Sequence, residues 1–575
     1  MGLLLQCLNI KKEFGDKTVL KDISFDVEVG DRIGIVGNNG AGKTTLAHII
    51  TNTIKADKGN ILWHNKDIKI GYLHQSTYYT QREFQNMIKG DQEEIREFFQ
   101  TTKELGVNKI EGWDNRRLSN LSGGEKTKLA IAKIWAEKPQ LLILDEPTNH
   151  MDYEGVQWLI SEIEKYKGTI LVISHDRYFM DQSVDRIIEV EDGEAHCYRG
   201  NYTFYRDEKK RIYESQLQHY KEQEKYKDKI QNDIKRLKGW SEKGHRQSTK
   251  KEGFKEFHRV KAKKKDKQVK SKIKRLGKIE VEGVKKPKEE QQIKFNFNND
   301  DDKCGDRILE AKSIGKSFGN KKLFEDSSFY IQRGEKIALF GKNGCGKTTL
   351  INAIFKEIYM DEGELYLSSS AKVAYLSQDV MNLDGNKTVF ETFGIENYKI
   401  RGILQTLLAN MGFSKDMIHK KVNTLSLGER TRLKVAYMIM MENNVLILDE
   451  PTNHLDVHSR EMLEEALENY MGTIILVSHD RYILERICNK VLIFKNKKIK
   501  RYEYSFKEYI NREERNKKNS VKKSIDEQLM ILENKIAGVV GKLSCLTPDM
   551  DKYKELDEEF RALIAAKKEI RNKKY

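Results

Sequence analysis

Two kinds of apolar pattern alternate along this 575-residue chain. The first is a short unbroken run. Ile33 to Val36, Leu141 to Leu144, Ile337 to Phe340 and Val445 to Leu448 are apolar or glycine throughout and end at a charge or a glycine. Such runs predict strands buried on both faces. Helix-like runs start at Thr45 and Thr349, so strand and helix alternate as in an α/β fold. The second pattern steps by three and four. Apolar residues at 213, 217, 220, 226, 230, 234 and 237 form one stripe, and Val269, Ile273, Leu276 and Ile279 form another. Together they predict an antiparallel helical hairpin. Gly239, Gly244 and Gly253 fall between Lys238 and Val260, which predicts a tip loop of about 20 residues there. Near the end, Ile525, Leu529, Leu532, Ile536, Val539, Leu543 and Leu546 step by 4 and 3 as a heptad seam. Thr547-Pro548-Asp549 breaks that helix, and Tyr553, Leu556, Phe560, Leu563 and Ile570 start a second run. A second hairpin closed on itself is expected, with dimerisation through the seam as the alternative.

The chain carries one domain twice. GNNGAGKT at 37–44, HQ at 74–75, LSGGE at 121–125, LLILDEPTNHMD at 141–152 and ISHDR at 173–177 return in order. The second set is GKNGCGKT at 341–348, SQ at 377–378, LSLGE at 425–429, VLILDEPTNHLD at 445–456 and VSHDR at 477–481. Leu121 to Asp145 and Leu425 to Asp449 are both 24 residues, and Asp145 to His175 and Asp449 to His479 are both 30. Equal offsets of this kind mark a repeat. The expected domains are 1–204, 205–305, 306–510 and 511–575: copy, linker hairpin, copy, C-terminal helices.

Each copy places G-x-x-x-x-G-K-T between a strand-like and a helix-like run, the setting of a phosphate-binding loop. In Gly37, Asn38, Asn39, Gly40, Ala41, Gly42, Lys43, Thr44 and Thr45, glycines let consecutive N–H groups converge on one anion at a helix start. Gly341, Lys342, Asn343, Gly344, Cys345, Gly346, Lys347, Thr348 and Thr349 repeat the device. Lys43 and Lys347 would neutralise β- and γ-phosphates, and Thr44 and Thr348 would offer hydroxyls to Mg²⁺. Asp145 and Asp449, at strand ends, would reach that metal, and Glu146 and Glu450 would polarise an attacking water. The alternative for each carboxylate is an N-cap on the next helix.

Charge adds a partner. The net charge is +16. Residues 206–290 hold 30 Lys/Arg against 15 Asp/Glu, and 511–575 hold 16 against 12, leaving the rest at −3. In KAKKKDKQVKSKIKRL (261–276) cations face all round the helix, which costs self-repulsion unless a polyanion answers it. Trp240, Phe254, Phe257 and His258 lie among tip cations, where they either stack on unpaired bases or staple the hairpin end. The cysteines at 7, 197, 304, 345, 488 and 545 have no paired spacing, which argues against disulfides or zinc and for a reducing cytosol. No apolar stretch reaches about 18 residues, so no membrane span is expected and a fused exporter is excluded.

The words LSGGE, LLILDEPTNHMD and ISHDR resemble those of ATP-binding-cassette ATPases. That resemblance implies that Gln75 and Gln378 sense metal and γ-phosphate, and that His175 and His479 touch the γ-phosphate. It implies that Phe14 and Phe318 stack on adenine, with core packing as the alternative. It also implies two composite ATP sites. One pairs Lys43 with Ser426 and Gly428, and the other pairs Lys347 with Ser122, Gly123 and Gly124. Leu427 replaces the first glycine in LSLGE, which predicts crowding at the γ-phosphate and slower turnover at the Lys43 site.

With the basic linker, the whole chain resembles the ABC-F proteins, in their antibiotic-resistance branch. The fold implied is two tandem P-loop cassettes joined by a long helical hairpin, plus a C-terminal helical hairpin. The function implied is ATP-dependent binding at the ribosomal exit site, with 23S rRNA and peptidyl-tRNA as contacts. The linker tip would point at the peptidyl-transferase centre and help release lincosamides, pleuromutilins and streptogramin A. The spacings of 46 from Gln75 to Leu121 and 47 from Gln378 to Leu425 leave no room for an inserted arm. A cytoplasmic monomer that closes on itself is expected, without a membrane partner. Three rivals stay open: a housekeeping translation factor, a DNA-acting ATPase, and an ATPase subunit docked on an exporter.

Overall fold

The computed structural model describes residues 2–65, 67–74, 102, 123–149, 151–250, 255–282, 284, 306–377, 383–395, 398–441, 443–453, 455–543 and 551–572. Each copy opens with a long antiparallel hairpin, β1 (Leu3–Phe14) with β2 (Lys17–Glu28), and β10 (Arg307–Phe318) with β11 (Lys321–Gln332). A third strand, β4 (Lys58–Trp63) or β13 (Glu362–Leu367), pairs on the outside.

The predicted apolar runs are the central parallel strands. In the first copy, β3 (Arg32–Val36) lies between β7 (Thr169–Ile173) and β8 (Arg186–Glu191), with β6 (Leu141–Asp145) and β5 (Ile70–Leu73) beyond β7. β9 (Glu194–Arg199) runs antiparallel to β8 and meets β2 at Asp22 and Glu194, which joins the opening hairpin to the central strands. In the second, β12 (Lys336–Gly341) lies between β16 (Thr473–Val477) and β17 (Lys490–Lys495). β15 (Val445–Asp449) and β14 (Val373–Leu376) continue beyond β16. Every residue of β6, β7, β15 and β16 is buried, which is why these segments read as unbroken apolar runs. Asp145 pairs with Ile173 and Asp449 with Val477, so carboxylates, histidine loops and P-loops share the carboxyl edge of each sheet.

The linker departs from expectation at its tip. α1 (Tyr202–Lys250) is a single 49-residue helix, and α2 (Lys255–Glu282) returns along it. The helix runs on through Gly239 and Gly244, where a loop was expected, and 251–254 lie outside the described residues. Trp240 is therefore on α1, and Phe257 and His258 are on the backbone of α2. The physical reason is lateral. Ile230, Ile234 and Leu237 bury against Val269, Leu276 and Ile279. Beyond them Ser241 Oγ donates to Asp266 Oδ1 at 2.6 Å, and beside them Lys272 Nζ reaches Asp233 Oδ2 at 2.6 Å. These contacts outweigh the roughly 1 kcal/mol that a helical glycine costs. Tyr226 and Ile273, assigned to the stripes, are exposed instead. Trp240 is 49% exposed, with Lys265 of α2 at 3.8 Å and Arg236 at 5.3 Å over its ring, so it does bridge the two helices.

At the C-terminus, α3 (Phe506–Leu543) and α4 (Asp551–Asn572) form the second hairpin. Val539 of the heptad seam is buried, and Glu533 meets Lys567 at 2.8 Å across it. Among the described residues no helix is long and apolar enough to cross a membrane.

A Cβ added at Gly239 meets nothing within 4 Å. Gly239→Ala should therefore stabilise the hairpin by about 1 kcal/mol, read as a higher melting midpoint at 222 nm. An unchanged midpoint would return this position to a loop.

Candidate active site

Each P-loop turns from its strand into a short helix through a residue with left-handed backbone, Gly42 (φ 102°) or Gly346 (φ 107°). A Cβ on Gly42 would lie 2.6 Å from Leu20 Cδ2, so glycine is required twice over. Lys43 Nζ donates to the carbonyls of Gly37 (2.9 Å) and Asn38 (3.1 Å), and Lys347 Nζ to those of Gly341 (2.7 Å) and Lys342 (3.2 Å). Burial lowers the Lys43 pKa, against the pull of Glu146, Asp456 and Asp145.

The carboxylates sit where the sequence places them, at the ends of β6 and β15. Asp449 Oδ2 accepts from Thr348 Oγ1 at 3.4 Å and Tyr375 OH at 3.5 Å, and Asp145 Oδ2 accepts from Tyr72 OH at 3.2 Å. Burial raises both aspartates, and the bonds from Thr44 and Tyr72, or Thr348 and Tyr375, pull them back. A hydroxyl beside a carboxylate is an all-oxygen donor set, which suits Mg²⁺.

Glu146 and Glu450 follow with φ of 50°, a left-handed conformation that costs a non-glycine residue of order 1 kcal/mol. Their partners are the histidine loops. His175 N donates to Glu146 Oε2 at 3.4 Å and His479 N to Glu450 Oε2 at 3.3 Å, while each Nε2 stands 3.7 or 3.6 Å from Oε1. Burial raises Glu146 to about 7, with Arg460 and Lys43 opposing. Burial and then Asp449 raise Glu450 to about 8. Burial, and then the nearby lysine, push both histidines down, His479 to about 4. Oε1 of each glutamate and Nδ1 of each histidine are buried without a hydrogen-bond partner among the described residues. Buried polar atoms left without a partner suit a site that a ligand completes.

The two copies meet through residues that motif reading left aside. Asp152 caps its own helix by accepting from Gly155 N at 3.0 Å, and its second oxygen accepts from Asn343 N of the opposite P-loop at 3.3 Å. Asp456 does the same with Ser459 N (2.9 Å) and Asn39 N (3.2 Å). The repeated N-H-M/L-D wording was the available signal. A cleft of about 580 Å³ surrounds Lys347, Thr348, Asp449, Glu450 and His479, and is closed from the first copy by Thr148, Asn149, Met151, Val156 and Asp176. Phe318 lines it and is 52% exposed, and Phe14 is 48% exposed, so neither is a core residue.

Among the described residues, Gly123, Gly124, Ser426 and Gly428 are not in that lining. Gly123 and Gly124 start a helix, and Ser426 caps the helix that begins at Leu427, which is 43% exposed. Gln75, Ser122, Gln378 and Phe254 lie outside the described residues.

A family model described as ABC transporter matches residues 20–149 and 324–453, and a companion model of the same description matches 188–297. The ribosome protection protein VmlR of Bacillus subtilis (strain 168) is 40% identical over 575 residues, covering 99% of both chains. ABC transporter F family member 5 of Arabidopsis thaliana is 32% identical, covering 84% of this chain and 74% of its own. The chain belongs to the ABC-F family. ABC-F proteins are ATPases, and this one hydrolyses ATP. Among solved structures, an RNase-L Inhibitor superposes on the ABC-F chain with a TM-score of 0.60 at 20% identity, covering 88% of this chain and 92% of that one. The twin-cassette fold agrees with that likeness.

The glutamate shifts have a sign. The folded state holds protons on Glu146 and Glu450 up to pH of about 7 and 8, whereas the ordinary value is 4.5. The stability this gives is complete below 4.5 and is lost as pH rises through 7 to 8. Glu450→Gln should therefore stabilise the nucleotide-free protein by roughly 2–4 kcal/mol at pH 8 and far less at pH 5.5. Thermal melts at the two pH values would show it. An equal shift at both would contradict the burial account.

Proposed function

We propose that this ABC-F protein is a cytoplasmic ribosome-protection factor. In its ATP-closed form it binds the ribosomal exit site, and its linker hairpin reaches toward peptidyl-tRNA and the peptidyl-transferase centre of 23S rRNA. Bound lincosamides, pleuromutilins or streptogramin A are then released. The observation that carries the reading is the hairpin. Its 49-residue first helix extends roughly 70 Å at 1.5 Å per residue, and its surface bears the cations that a phosphate backbone answers through counterion release. The relative named as a ribosome protection protein spans the same length, hairpin included.

In this reading the protein acts as a monomer, and its two ATP sites are the switch. Lys43 and Lys347 hold β- and γ-phosphates within the two P-loops, with Phe14 and Phe318 against adenine. Mg²⁺ would be held by Thr44, Asp145 and Gln75, and by Thr348, Asp449 and Gln378, and would supply charge neutralisation on the phosphates. Glu146 and Glu450 take the proton of the attacking water, a role that a carboxyl titrating near neutrality suits. His175 and His479 are neutral at pH 7 and orient the γ-phosphate. Ser122, Gly123 and Gly124 close on the Lys347 site, and Ser426 and Gly428 on the Lys43 site. Leu427 slows the latter. Closure licenses binding, and hydrolysis licenses departure.

Glu146→Gln with Glu450→Gln should reduce ATP turnover by at least tenfold and leave the protein co-sedimenting with 70S particles in ATP at low salt. Sedimentation free of ribosomes would sink the proposal. Replacing residues 246–261, beyond the Ser241–Asp266 bond, with a short glycine turn should abolish protection while sparing ATPase activity. Minimum inhibitory concentrations across ribosomal drug classes provide the measurement. Unchanged susceptibility would point to a general translation role.

A further inference from the structure

The interface is symmetric at Asp152 and Asp456, but four residues later the symmetry fails. Arg460 of the second copy corresponds to Val156 of the first. Arg460 Nη1 donates across the interface to the carbonyl of His175 at 3.0 Å. The same His175 gives its backbone N–H to Glu146 Oε2 at 3.4 Å. One residue of the second copy thus grips the carbonyl of the residue whose N–H supports the carboxylate of the first.

Arg460 is itself held rigidly. Its side chain is 11% exposed. Its Nε donates to the Leu455 carbonyl at 3.1 Å, and its Nη1 lies 3.3 Å from Asp480 Oδ2. Asp480 also lies 3.7 Å from Arg177, which forks onto the buried Glu464. Glu464 corresponds to Ile160, and Arg481, the counterpart of Arg177, bonds Glu485 on its own helix at 2.6 Å. Val156 has no donor for the His479 carbonyl. His479 instead meets Asn343 of its own P-loop at 3.0 Å through Nε2. The ion-pair cluster thus reaches the His175 loop of the Glu146 site from across the interface, whereas at the other P-loop Lys342 pairs with Glu154 of the first copy at 2.7 Å, a contact that involves neither His479 nor Glu450.

We infer that Arg460 is a positioning residue acting in trans, which ties the Glu146 carboxylate to contact between the cassettes through a backbone link that Val156 does not offer the Glu450 site. Arg460 also lines the cleft at Lys347, and it reaches the Glu146 site through the His175 carbonyl. It fixes the backbone on the carbonyl side of His175, and through the adjoining N–H the Glu146 carboxylate. The inference rests on Glu146 and Glu450 acting at the two sites, as proposed above.

The full-length protein with Glu450→Gln reports the Glu146 site, and with Glu146→Gln it reports the Glu450 site. Single-turnover phosphate release from ATP is measured in each. Arg460→Met should lower the Glu146-site rate about tenfold, with the ATP concentration for half-maximal rate within twofold, and should leave the Glu450 site within twofold. Arg460→Lys, which keeps a donor, should recover much of the loss. An equal fall at both sites, an effect on half-saturation alone, no effect, or no recovery with lysine would overturn it. Where Arg460→Met fails to bind ATP at all, the lysine variant decides, since it should keep the two sites' rates in the parent ratio. If the variant carrying both Glu146→Gln and Glu450→Gln retained turnover, the assignment of Glu146 and Glu450 would fail instead.

Discussion

Two carboxylates that each do two things hold this molecule's machinery in register. One oxygen of Asp152 caps the helix behind it, and the other receives an N–H from the opposite P-loop. Asp456 mirrors this. A capping side chain has its rotamer fixed by its own helix, so the second oxygen is aimed before the partner arrives. Burial pushes Asp456 up, yet bonds from Ser459 and Asn39 hold it below its ordinary range, so it stays an acceptor at any physiological pH. The distance from each P-loop to the other copy's helix is thereby set by hydrogen-bond length. The cleft at Lys347 exists because that constraint brings Thr148, Asn149 and Met151 over it.

Within this frame the chemistry is kept in tension. Glu146 and Glu450 are strained at φ of 50° and buried with an unsatisfied oxygen each. Groups so placed lower stability and are retained where a ligand supplies what the protein withholds. Lys43 and Lys347 are the converse. Their ammonium groups rest on carbonyls of their own loops, which spares them a naked charge without fixing them away from phosphate.

What was readable in the sequence follows from where free energy is concentrated. The central strands were legible because a strand buried on both faces has no polar alternative, as in Leu141-Leu142-Ile143-Leu144. The phosphate loops were legible because Gly42 and Gly346 are sterically compulsory. The hairpin tip was not. Gly239 weakens a helix locally, but Leu237, Ser241 and Asp266 act across to the other helix, and pairing between segments 25 residues apart leaves no local trace. The interface was also opaque. Arg177, Arg460 and Glu464 look like ordinary helix charges until the copies are placed together. The mismatch between Arg460 and Val156 was visible in the repeat, but its meaning needed the carbonyl it reaches.

The root of the linker helix joins both copies. Tyr205 OH donates to Glu189 of the first at 2.6 Å, and the next residue, Arg206, pairs with Glu461 of the second. A rod fixed at one end by two bodies is a lever, and its far end magnifies their relative rotation. Over roughly 70 Å, a tilt of about 5° displaces the tip by about 6 Å, the width of a nucleobase. Sub-ångström rearrangement at the cassettes is thus delivered at the hairpin tip as movement on the scale of a small molecule.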